Sequence, residues 1–125
     1  MQHFGMQDAR NLKVTEKAEE LAVMTYQVTA GFPRAEQFGL TSQMRRAAVS
    51  VGSNIAEGCG RSGDRDLVPF LHYALGSAAE LEFQLRVASR LGFAAPDRLE
   101  PVAEAAVEVK RMLSRLVVAL RPRRP

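Results

Sequence analysis

The chain has 125 residues, 46% of them hydrophobic and 25% charged, with a net charge of +3. That size suits one domain with a modest core, and that balance excludes a disordered chain. No apolar run approaches the ~18 residues of a membrane-spanning helix, and the lone Cys59 excludes a disulfide framework and points to a reducing cytoplasm.

With no Trp and with Ala, Leu and Val abundant, the composition favours helices packed on helices through small side chains. The opening "MQHFGMQDARNLK" has no apolar core segment of a secretory signal. A first helix is predicted over about residues 9–30, with Val14, Ala18, Leu21, Thr25 and Val28 on one stripe and Ala22 and Tyr26 beside it. "GFPRAEQFG" stops it: Gly31 suits a C-terminal cap, and Pro33 cannot continue the ladder.

The second helix is predicted over about residues 41–58, capped by Thr41 or Ser42 and ended by Gly58 and Gly60, glycines that supply positive φ at low steric cost. Met44, Ala48, Val51 and Ile55 fall at helical spacing. Arg45, Arg46, Ser50, Ser53, Asn54 and Glu57 crowd the same turns. A third helix, about 65–91, follows a cap at Asp64 or Asp66, and Pro69 is tolerable only in its first turn. Its seam runs through Leu67, Leu71, Ala74, Leu75, Ala78, Leu81, Leu85 and Ala88. The fourth, about 97–120, starts at Asp97 with Glu100 as its capping-box partner, or restarts at Pro101 as a first-turn residue. Val102, Ala106, Val109, Met112, Leu113, Leu116, Val117 and Leu120 form its stripe, and residues 121–125 are a basic, proline-rich tail. Four helices, short connections and no strand signal predict an all-α, up-and-down four-helix bundle spanning 1–125 as one domain.

Chemical motifs are missing. A di-iron bundle needs Glu-x-x-His pairs, but the histidines are His3 and His72, and Pro69 stands three before the latter. Cys59 has no Cys or His at a zinc spacing, and "GCGRSG" lacks the Gly-Lys-Ser/Thr ending of a phosphate-binding loop. No catalytic residue, metal ligand or cofactor site is expected.

Two patterns stand out. Ser50, Asn54 and Glu57 on the second helix, with Ser77 and Glu80 on the third, form two polar lines beside apolar seams. They are read as a structural hydrogen-bonding network with Arg45 or Arg46 as counter-charge, holding the second helix to the third or to a neighbouring subunit. Fourteen of the seventeen cations are Arg, and residues 110–125 carry six cations and no acid. Arg45, Arg46, Arg61, Lys110, Arg111, Arg115, Arg121, Arg123 and Arg124 are therefore candidate phosphate contacts. A basic surface of this kind also fits an acidic protein partner, and cations near a helix C-terminus can simply complement its dipole.

"FGLTSQMRRAAVSVGSNIAEGCGR" followed by "FLHYALGSAAELEFQL" resembles the four-helix bundle family of 23S rRNA intervening-sequence proteins. The shared residues include Gly39 to Gln43, Arg45, Arg46, Ser50, the Asn54 to Gly58 run, Arg61, Ala74, Gly76, Ser77 and Glu80. The likeness covers about residues 4–95. Members often carry Pro where this chain has Gly52. The resemblance implies a homo-oligomer, commonly a pentameric barrel of bundles, and no enzymatic activity. A related branch, the accessory variability protein of diversity-generating retroelements, implies binding to nucleic acid and to a nucleic-acid-handling protein. The expected function is thus a non-enzymatic, oligomeric protein binding RNA or DNA by backbone contact. The alternative is a protein-interaction scaffold with no nucleic-acid role.

Overall fold

In a computed structural model, which describes residues 9–61 and 64–120, the chain forms four long α-helices and one short 3-10 turn, with no strand among the described residues. The helices are α1 (Ala9–Thr29), α2 (Leu40–Cys59), α3 (Asp64–Arg90) and α4 (Pro96–Ala119), and the turn is Arg34–Glu36. They pack as a square: α1 against α2, α2 against α3, α3 against α4, and α4 back against α1. That leaves α2 and α4 across a diagonal. Neighbours run antiparallel, since Ser50 of α2 meets Ser77 of α3 while the later Gly58 meets the earlier Phe70.

The core is what the apolar stripes dictate. Val14, Leu21, Met44, Val51, Ile55, Leu71, Leu81 and Leu113 are fully enclosed, and Ala18, Ala48, Ala74, Ala78, Ala88 and Ala106 let the helices approach closely. Thr25 and Thr29 can lie inside because each hydroxyl donates to a carbonyl one turn back, at Leu21 and Thr25. Of the seam residues, Leu75, Met112 and Leu120 are only partly covered.

Several local expectations are corrected. Neither Thr41 nor Ser42 caps α2. The helix begins at Leu40 behind Gly39, and the Glu36 carboxylate reaches from the 3-10 turn to accept the Leu40 N–H at 3.0 Å. Gly60 caps the end of α2 as expected, though at a right-handed φ of −79°, while Gly58 lies buried inside the last turn. Pro69 and Pro101 both sit past the first turn, inside α3 and α4. α4 instead starts at Pro96, whose fixed φ suits a first position, with Asp97 in the first turn. Gly31 is not left-handed. Gly92 is, at φ 71°, and it closes α3. There the Phe93 N–H donates to Ala88 and the Gly92 N–H to Ser89, a Schellman pair.

Candidate functional site

The polar seam between α2 and α3 is built on small residues. Ser50 and Ser77 hydroxyls meet at 2.9 Å, and Asn54 Nδ2 donates to the Ser50 carbonyl at 2.8 Å and to its hydroxyl at 3.0 Å. The chain of bonds therefore runs along one turn of α2 and across to α3. Beneath it, Gly58 makes the close approach: a Cβ there would lie 2.7 Å from Leu67 Cδ1 and 2.8 Å from Phe70 Cβ.

Glu57 and Glu80 stand apart from that chain. Glu57 turns outward and pairs with Arg61 at 3.0 Å, one helical turn on. Glu80 accepts from Gln84 Nε2 at 3.3 Å. Gln84 is 5% exposed, and its Oε1 has no hydrogen-bond partner among the described residues. The amide must face this way, because the opposite orientation would set its oxygen against the Glu80 carboxylate.

Arg45 is not a counter-charge to either glutamate. Its Nε donates to Thr29 Oγ1 at 2.9 Å, a second guanidinium nitrogen reaches the Tyr26 carbonyl at 3.4 Å, and the group lies 4.5 Å over the Tyr26 ring. One arginine thus satisfies the C-terminal turn of α1 and ties it to α2. Spacing alone does not mark Tyr26 and Thr29 as its partners, because both flank a stripe that reads as core.

The remaining cations are dispersed. Arg46 lies exposed in an open groove of about 610 Å³ with Gln43, Val49, Ser50, Ser53 and Glu80. Arg61 also stacks 5.1 Å over Phe70. Lys110 is tied to Glu82 of α3 at 2.6 Å, and Arg111 approaches Glu108 at 3.7 Å. Arg115 borders a shallow groove with Lys13 and Met112. Arg121, Arg123 and Arg124 lie outside the described residues. Because α2 and α4 do not adjoin, Arg45, Arg46 and Arg61 do not form one patch with Lys110, Arg111 and Arg115 within a subunit. Among the described residues no three His, Cys, Asp or Glu side chains gather as metal ligands would, and no helix is long and apolar enough to cross a membrane.

No functionally curated protein is significantly similar in sequence. The fold is similar to the crystal structure of a protein of unknown function from the S23 ribosomal protein family of Bacteroides thetaiotaomicron. The likeness has a TM-score of 0.79 at 23% identity and covers 87% of this chain and 98% of that one. A family model described as 23S rRNA-intervening sequence protein matches residues 10–115, from the first turn of α1 into the last turns of α4. That span includes the arginine pair, the Ser50–Asn54–Ser77 seam and all four packed helices, and the chain belongs to the 23S rRNA-intervening sequence protein family.

Proposed function

We propose that this protein is a non-enzymatic bundle that assembles with copies of itself, as the pentamer the family resemblance implies, and binds nucleic acid by backbone contact. The observation that carries the binding reading is a set of six arginines. Arg34, Arg46, Arg86, Arg90, Arg98 and Arg115 are all exposed and make no ion pair within the described residues. Exposed guanidinium groups suit phosphate bidentately, and repetition around an assembly multiplies weak contacts. Such binding tolerates sequence and weakens with salt, as log K falling linearly with log salt.

Self-assembly draws support from the outer side of α2 and α3. There Tyr73 and Phe83 are 60% and 65% exposed, and a Cβ at Gly76 would meet nothing within 4 Å. Exposed aromatics beside an unfilled glycine are what a closely approaching neighbour needs.

Gel-shift titrations with RNA and with DNA, at rising ionic strength, test the binding reading. Retarded species at low salt that fade as salt rises are expected; no shift even at low ionic strength overturns it. Light scattering gives the mass of the assembly, and a monomer at working concentration overturns the oligomer.

A further inference from the structure

The end of the bundle where α1 passes into α2 and α3 into α4 is closed by aromatic packing. The Phe32 and Phe93 rings lie 5.6 Å apart, which fixes the two connections side by side. Phe38, in the same connection as the buried Phe32, is 91% exposed, more than any other large hydrophobic residue described. It is presented on a braced turn. Gln37 N–H donates to the Arg34 carbonyl at 3.1 Å and Gly39 N–H to the Glu36 carbonyl at 2.9 Å, while Glu36 Oε1 holds Leu40 N–H. A Cβ at Gly39 would fall 2.8 Å from that carboxylate oxygen, so the brace itself favours glycine beside Phe38. The turn is built to hold an aromatic ring in water, where an apolar side chain forgoes the gain of burial.

Three unpaired arginines stand at this end. Arg34 lies in the 3-10 turn, Arg90 ends α3, and Arg98 sits in the first turn of α4; all three are exposed and free of ion pairs within the described residues. Three acids share this end. Glu36 caps α2, Asp97 occupies the first turn of α4 where free N–H groups favour a carboxylate, and Glu100 borders the same groove as Arg86.

We propose that this end is a single-strand nucleic-acid contact, with Phe38 stacking on an unpaired base and Arg34, Arg90 and Arg98 holding the flanking phosphates. The proposal rests on the nucleic-acid reading above and narrows it to one surface and one strand state. A duplex offers phosphates but no free base face, whereas a single strand offers both. An anionic membrane would share the charges, but one Phe with the exposed Leu91 after α3 is a small apolar area beside the continuous apolar face of an interfacial helix.

The chain has no Trp, so Phe38→Trp places a single fluorescent reporter at the site. Titration with a short oligothymidylate or oligouridylate should quench it, and a hairpin duplex of equal length should not. In the otherwise unaltered chain, Phe38→Ala should weaken single-strand binding about ten-fold or more and leave duplex binding unchanged. Replacing Arg34, Arg90 and Arg98 together by Ala should flatten the salt dependence of single-strand binding. Circular dichroism and light scattering should show helicity and mass unchanged, because Phe38 is exposed. If the parent chain binds single strands and these variants bind equally well, this end is not the contact, though the broader reading stands. If the parent chain binds no nucleic acid, both fall. A loss of mass in Phe38→Ala, or lost binding to phosphatidylglycerol vesicles with nucleic-acid binding intact, also overturns the proposal.

Discussion

Asn54 does more for the bundle than its partial exposure suggests, since one amide bonds both the carbonyl and the hydroxyl of Ser50, and that hydroxyl in turn meets Ser77. Asn54→Ala should cost about 1 kcal/mol and lower the melting temperature by roughly 3–5 °C. Ser50→Ala should cost a similar amount, and the double variant less than the two combined, because the bonds share Ser50. Strict additivity in thermal melts would show that the seam does not act as a unit. Ser50, Asn54 and Glu57 are equally polar at helical spacing, so their pattern reads as one line. Glu57 leaves that line because Arg61, four residues on, offers a partner without desolvating the carboxylate.

Helix boundaries follow local chemistry that spacing alone does not display, whereas the buried stripes follow from period. Leu67, Leu71, Ala74, Ala78, Leu81, Leu85 and Ala88 are all buried, as a repeat of 3.6 requires. The α2 start was not legible, because its cap is a glutamate four residues upstream in a separate turn. Nor was the task of Gly58, since a glycine near a helix end reads as a terminator until the facing helix is known. Its place between Leu67 and Phe70 makes Gly58→Ala an element-scale test. The Leu67 tip can rotate away, but Phe70 Cβ, anchored to its backbone, cannot without moving α3. A loss of about 1–3 kcal/mol in denaturant unfolding is expected. Gly60→Ala, at a right-handed φ with only ordinary contacts to the Glu57 and Ala56 carbonyls, should change stability far less. Equal losses at the two positions would mean that α2 and α3 are not held this closely.

At the scale of the whole molecule, the diagonal placement of α2 and α4 separates their cations, so a continuous basic surface needs either an end of the bundle or several subunits. Gly76 is the residue that distinguishes a free face from a covered one. Glycine inside an exposed helix costs roughly 0.5–1 kcal/mol relative to alanine. Nothing among the described residues requires it, because a Cβ at Gly76 meets none of their atoms within 4 Å. On an isolated bundle, then, Gly76→Ala should stabilise and Gly76→Leu should be tolerated. On a bundle whose α2–α3 side is pressed against a copy of itself, the same side chains occupy the partner's space, and Tyr73 and Phe83 lose their contacts. The expected result is the second: Gly76→Leu lowers the mass measured by light scattering while helicity is retained. Ser114→Leu, exposed on α4 outside the α2–α3 side, should leave the mass unchanged. If Gly76→Leu keeps the parent's mass and melts at a higher temperature, the α2–α3 side is open to solvent and the assembly must use another surface.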